Sequence, residues 1–232
     1  MAVPFSEVQG MTLILDGVWQ KELTERLLAL LQPGDVFIDV GANMGYFTLL
    51  ASSRVGDGGV VVAFEPEIRN LARLATNVAA SGCRNVIVLS EAAGDAVSKC
   101  QIGTPPEYNT GVASLRTSGK QSDRYNLAAI RTVDDALRHV GDIAGRRVVV
   151  KIDAEGFEPQ VVAGMADLMR RAGQLSIVCE LSPQWCDISE VVKAFDDAGL
   201  CGEAIIDGKW QILDAKRLPT AQTDAVFVRT AA

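Results

Sequence analysis

The sequence predicts an α/β domain wound on both faces of a mostly parallel sheet. Short runs rich in Val and Ile are apolar at nearly every position, as strands covered on two sides must be. Between them lie helical patterns that open on Pro or on a Thr, Asp or Ser cap and often close on Gly. The chain has 232 residues, 48% of them hydrophobic, enough to bury one sizeable core.

The elements follow in order. "LTERLLALL" (23–31) is an amphipathic helix ended by Pro33-Gly34. The strands "DVFIDV" (35–40), "GVVVAFE" (59–65) and "NVIVLS" (85–90) come next. They are separated by helices from Tyr46 to Arg54 and over "PEIRNLARLATNVAASG" (66–82). Later strands are "RRVVVKID" (146–153) and "LSIVCEL" (175–181). The later helices are "TVDDALRHVG" (132–141), "EPQVVAGMADLMRRAG" (158–173) and "DISEVVKAFDDAGL" (187–200). Strands alternating with helices of this length make βαβ units. Asp207-Gly208 in "AIIDGKWQI" signals a hairpin, and "AVFVRT" (225–230) is a final, antiparallel strand. Residues 1–232 thus form one domain, with 1–32 as an N-terminal helical cap. Residues 95–126, rich in Pro, Gly and Ser, read as an insertion of loop and edge hairpin after the third strand.

A net charge of −7 argues against nucleic acid or an anionic membrane as the main partner. "MAVPFSEVQG" lacks the basic and apolar regions of a signal peptide, and no apolar run approaches the ~20 residues of a membrane span. The five cysteines are scattered without a C-x-x-C pair, which suits reduced thiols better than disulfides or zinc. The expectation is a cytoplasmic protein acting on a small molecule. A homodimer through the insertion stays open.

Ligands of open parallel sheets bind beyond the carboxyl ends of the strands. "DVGANMGYF" (39–47) sits at such an end, where Gly41 and Gly45 allow a tight turn and close backbone approach before a helix N-terminus. The same spacing also fits a turn without a ligand. A dinucleotide fingerprint would need Gly at Asn43 and Gly or Ala at Tyr46, and no G-K-[ST] follows to make a P-loop. Glu65 ends the second strand about twenty residues on, where an acid grips ribose hydroxyls, or merely enters the helix before Pro66. "SEAAGD" (90–95) offers small residues for a base.

These segments carry a family resemblance. "LQPGDVFIDVGANMGYFT", "VVAFEP", "EAAGD", "RTVDDAL", "VKIDAEGFEPQVVAGM" and "IVCELSP" occur in the order seen in FkbM-family, S-adenosylmethionine-dependent methyltransferases. The K-I-D-x-E-G-x-E segment is the most specific of them. The resemblance implies a Rossmann-like class I methyltransferase fold with a seven-stranded sheet. It implies that Asp39, Gly41, Asn43 and Gly45 hold the amino-acid part of S-adenosylmethionine, with Tyr46 beside them. Glu65 would take the ribose hydroxyls next to Pro66, Glu91 and Ala92 would flank the adenine, and Asp153 would sit by the methyl group.

Methyl transfer from a sulfonium needs alignment more than activation. A hydroxyl acceptor also needs a base, and Asp153, Glu155 and Glu180 at adjacent strand ends are the candidates. Asp153 and Glu180 could instead share a proton or hold Mg²⁺. Glu158 suits a helix cap as well as catalysis, and His139, the sole histidine, suits a helix C-terminus. Lys151 can pair with these acids. Tyr108, Asn109, Arg116, Arg124 and Tyr125 of the insertion suit a polar acceptor. Trp19 and Gln20 suit a cofactor cap, and Trp185 an acceptor wall. The resemblance suggests O-methylation of a sugar or of a secondary metabolite such as a polyketide. N-methylation, NAD-dependent oxidoreduction and a non-catalytic nucleotide-binding module are the rivals. The missing middle glycine and the lack of a Tyr-x-x-x-Lys pair count against the oxidoreductase.

Overall fold

The computed structural model describes residues 1–4, 7–103, 125–141, 143, 145–206, 209–213 and 218–229. Two helices, α1 (Val8–Asp16) and α2 (Lys21–Leu30), precede β1 (Val36–Val40), α3 (Tyr46–Val55), β2 (Val60–Phe64), α4 (Ile68–Ser81) and β3 (Val86–Leu89). Then come β4 (Ala92–Ala93), β5 (Ser98–Gly103), β6 (Tyr125–Arg131), α5 (Val133–Leu137) and β7 (Arg147–Ile152). The chain continues through α6 (Glu158–Ala163), α7 (Ala166–Arg171), β8 (Gln174–Leu181) and α8 (Ile188–Asp197) to β9 (Cys201–Ile206), β10 (Lys209–Leu213) and β11 (Thr223–Arg229).

The main sheet has the order β10-β9-β11-β8-β7-β1-β2-β3. From β3 to β8 every pairing is parallel. β11 is antiparallel to both β8 and β9, and β10 is antiparallel to β9. There are eight strands where the resemblance implies seven. The extra one, β10, is the outer arm of the hairpin signalled by Asp207-Gly208, two residues that lie outside those described. β5, within the expected insertion, pairs antiparallel with β6, which starts at the insertion's end, and β4 joins them in a separate three-stranded sheet. Tyr108, Asn109, Arg116 and Arg124, with the side chain of Tyr125, lie outside the described residues.

β1 is buried along its whole length, which is why its sequence is apolar on both faces. Val36, Ile38 and Val40 join the core beneath α5–α8, while Phe37 faces the core beneath α2 and α3. The fully buried Phe37, Phe64 and Phe227 each contribute about 1.5–3 kcal/mol by leaving water. The caps are those the sequence signals: Thr132 accepts from Asp135 N, and Asp187 from Ser189 N. Two helices depart from expectation. The one over 132–141 is confined to Val133–Leu137, with a turn after it. The pattern over 158–173 is broken into α6 and α7 at Gly164, whose missing side chain admits the carbonyl of Gly94; a Cβ there would stand 1.9 Å from that oxygen. No helix among the described residues is long and apolar enough to cross a membrane.

Candidate active site

β1 ends where Gly41 takes a left-handed backbone (φ 77°) and the chain turns through Asn43 (φ 51°) and Gly45 (φ 94°) into α3. The two glycines serve packing as much as turning. A Cβ on Gly41 would meet the Asp153 carbonyl oxygen at 1.9 Å, and one on Gly45 would meet Leu74 Cδ1 at 2.7 Å. Gly41 still lines the cavity described below, while Gly45 packs against helix α4 and does not. Gly41 N and Ala42 N donate to Phe64 O, and Asn77 Nδ2 donates to Met44 O at 2.8 Å.

Glu65 locks this turn. Its Oε2 accepts from Asn43 N at 2.7 Å and its Oε1 from Glu67 N at 2.8 Å. Burial nevertheless dominates and pushes its proton affinity up to about 8, against the pull of those two N–H groups. Glu67 in turn caps α4 by accepting from Arg69 N and Asn70 N.

Across β1 a second group of acids surrounds one cation. Lys151 pairs in register with Asp39, so both leave the sheet on the α3 face. Lys151 Nζ lies 3.9 Å from Asp39 Oδ1, 3.2 Å from Asp153 Oδ2 and 5.4 Å above the Phe47 ring. Burial pulls its proton affinity down, but Asp153 and then Asp39 outweigh that and raise it above the ordinary lysine value. Burial raises Asp39, opposed by Lys151 and by Thr48 Oγ1, which donates to its Oδ2 at 2.6 Å.

Asp153 lies one residue beyond the last paired positions of β7 and β8, Ile152 and Cys179, and so beside Glu180. Glu180 is in register with Asp224 of β11. Burial, then Asp153, lifts Glu180 to about 7, while Gln222 Nε2, donating to Oε1 at 2.6 Å, works in the other direction. Burial and Asp153 lift Asp224 to about 6. Glu155, on a left-handed backbone (φ 51°), is lifted to about 9 by burial, then Asp153 and Glu180. Glu158, fully buried, accepts from Ala154 N at 3.0 Å and Gly156 N at 3.1 Å, so it braces the loop that carries Asp153 and Glu155.

These groups border a cavity of about 280 Å³ at the carboxyl ends of the strands. Of the sequence-predicted residues, Gly41, Asn43, Tyr46, Glu65, Pro66, Ala92, Asp153, Glu155 and Glu180 line it, as do Trp19, Gln20 and Lys151. Three expected cofactor contacts do not. Asp39 lies beneath the wall on Thr48 and Lys151, and Gly45 is covered by Leu74. Glu91 points instead to Arg131, whose guanidinium is 3.0 Å away. His139 is exposed beyond α5, and Trp185 is off the wall.

The described residues give the Mg²⁺ expectation no support. Asp153 is committed to Lys151 and Glu180 to Gln222, and among the described residues no three His, Cys, Asp or Glu are grouped to hold a metal. Sequence reasoning missed Gln9, Gln222 and Asp224. Only the pairing of β11 with β8 brings Asp224 and Gln222 to Glu180, and no local pattern signals it.

A parallel sheet with a buried acid ending its second strand, small residues beyond the third and an antiparallel strand inserted beside β8 has the Rossmann-like class I architecture of S-adenosylmethionine-dependent methyltransferases. The chain belongs to the Methyltransferase FkbM domain family, whose model matches residues 39–199. Among solved structures, it resembles a methyltransferase FkbM from Methylobacillus flagellatus KT (16% identity, TM-score 0.51), over 88% of this chain and 50% of that one. It also resembles a putative rRNA-methylase from Clostridium thermocellum (10%, TM-score 0.52), over 91% and 96% of the two chains. A third likeness is to precorrin-6y C5,15-methyltransferase from Geobacter metallireducens GS-15 (14%, TM-score 0.51), over 92% and 90%. At such identities these structures show the fold alone. No curated protein matches the sequence.

The cavity fits S-adenosylmethionine. Glu65 ends β2 on its wall, Ala92 and Ala93 leave room for a base, and the side-chain oxygen of Asn43 is buried without a hydrogen-bond partner among the described residues.

Proposed function

We propose that the protein methylates a hydroxyl of a small molecule, either a sugar or a secondary metabolite such as a polyketide. One observation carries the reading: Glu180, on the cavity wall, has its proton affinity raised to about 7 by burial and then by Asp153. An alcohol must lose its proton as it attacks, and a base titrating near neutrality serves that step best. A neutral amine makes no such demand.

S-adenosylmethionine, when bound, supplies a methyl group on a positively charged sulfur. Glu65 and the turn from Gly41 to Asn43 would hold it. Asp153, fixed by Lys151 at 3.2 Å, would face its methyl-bearing end. Glu180 receives the acceptor's proton. Glu155, lifted to about 9, keeps its own proton at neutral pH and donates a hydrogen bond rather than acting as the base named from the sequence. Holding two reactants in line contributes several kcal/mol, roughly the larger share of what such a reaction needs from the protein.

The test is a screen of hydroxyl and amine acceptors with labelled S-adenosylmethionine, followed by a pH profile. The rate should rise with pH through about 7. Glu180→Gln should lower kcat by about 10²–10⁴-fold while leaving S-adenosylhomocysteine affinity unchanged. Methylation of amines alone, or full activity in that variant, would sink the proposal.

A further inference from the structure

The side of the cavity away from the sheet is built by the N-terminal segment, through Glu7, Val8, Gln9, Trp19 and Gln20. All five lie outside the residues matched by the family model. The segment is anchored at two places. Near its start Glu7 pairs with Arg73 of α4, and Asn77 binds the backbone of Ala2 through both its Oδ1 and its Nδ2. Near its end Thr24 Oγ1 donates to Trp19 O at 2.7 Å and lies 3.3 Å from the Tyr46 hydroxyl. Between the anchors, the nine residues of α1 span about 14 Å from the α4 side to the α3 side.

Two carboxamides on this segment are unsatisfied. The side-chain oxygens of Gln9 and Gln20 are buried without a hydrogen-bond partner among the described residues. A folded protein rarely keeps such groups unless something else meets them. Gln20 is also held in a left-handed backbone, φ 42° and ψ 65°. Among the described residues only Gln20, Asn43 and Glu155 have this conformation without being glycine, and all three line the cavity. Strain of this kind collects where a side chain must point at a ligand.

We propose that the N-terminal segment completes the cofactor pocket, Gln20 accepting from the amino-acid end of S-adenosylmethionine and Gln9 from its adenosine end. This rests on reading the cavity as the cofactor site. Gln20 follows Trp19, which Thr24 ties to Tyr46 at the close of the glycine turn. Gln9 lies two residues after Glu7, whose partner Arg73 reaches Asn70 of α4, the helix that follows Glu65 and Pro66. Gln9, Asn70, Pro66 and Glu65 all line the cavity. An ammonium has only donors, and ribose hydroxyls and an exocyclic amine also donate, so a carboxamide oxygen suits either end.

Calorimetric titration with S-adenosylhomocysteine and with 5′-methylthioadenosine, which lacks the amino-acid end, separates the two roles. Glycine adopts the backbone of residue 20 without strain. Gln20→Gly should therefore raise the melting temperature while weakening S-adenosylhomocysteine about tenfold, the scale of one hydrogen bond to a charged group. Its affinity for 5′-methylthioadenosine should not change. Gln9→Ala should weaken both ligands by about threefold to tenfold. If Gln20→Gly instead lowers the melting temperature, Gln20→Asn, which tolerates the same backbone, should show the same selective loss. Unchanged S-adenosylhomocysteine affinity in the Gln20 variants would overturn the inference. Failure of the unaltered protein to bind that ligand would overturn the cofactor reading itself, and the inference with it.

Discussion

The two halves of the cavity treat their carboxylates differently. On the β2 side, Glu65 is met by two backbone N–H groups and Glu67 by two more, so each acid is held by the chain next to it. On the β7–β8–β11 side, Asp153, Glu155, Glu180 and Asp224 crowd near Lys151: Asp153 raises the proton affinity of the other three, Glu180 that of Glu155, and Asp224 that of Glu180. The first arrangement fixes a shape. The second stores charge that has nowhere else to go, which suits a place where a proton is to be taken up.

Removing the shared cation breaks that contrast most severely. Lys151→Met leaves Asp39 and Asp153 without their counter-charge, and losing one partner of a buried pair costs roughly 3–5 kcal/mol. Urea unfolding at pH 7 should show that loss. It should shrink at acid pH, where the two carboxylates can take up protons. An equal loss at both pH values would mean that Lys151 matters for packing on Phe47, not for charge.

Glu65→Gln tests the other half. Replacing the acid should weaken S-adenosylhomocysteine by about 30-fold, near 2 kcal/mol, the scale of a charged hydrogen bond. It should also change the pH dependence of the unliganded protein. Because the folded value, about 8, lies above the ordinary glutamate value of 4.5, the native state holds the proton more tightly. That contribution to stability is complete below about 4.5 and is lost as pH rises through about 8. The variant should flatten this decline, and an unaltered slope would refute the buried-acid account.

Asp224→Asn is the mildest change and the sharpest probe of the acid cluster. It removes a like charge from Glu180, so the acid limb of the rate profile should move below the native value of about 7 by less than about one pH unit. A limb that stays in place would leave Asp153 and burial to account for Glu180 by themselves.

Much of this was legible in the sequence, for a local reason. β1, the turn after it, Glu65 and the caps at Thr132 and Asp187 are each written within a few residues, in apolar runs and in side chains that meet nearby N–H groups. The residues that escaped are those whose partners are distant. Asp224 and Gln222 meet Glu180 only because β11 enters the sheet beside β8, some forty residues away in sequence. Gln9 belongs to a helix with a glycine inside it and with Val8, Met11 and Leu15 turned to solvent, so α1 gives no amphipathic signal of its own. Glu91 misled for the opposite reason: its position beyond the third strand was right, but Arg131 of β6 draws its side chain away.

The place of β11 also sets a timetable. Among the described residues it is the last strand in sequence, yet it lies between β8 and β9 rather than at an edge. Chains emerge from the ribosome at about 5–20 residues per second, so β1, β2 and β3 can pair while the end of the chain is still to come. Glu180 must wait for Gln222 and Asp224. A nascent chain can therefore pair β1, β2 and β3 seconds before Glu180 gains Asp224 and Gln222 beside it, so under the function proposed above the cofactor's half of the site forms ahead of the acceptor's.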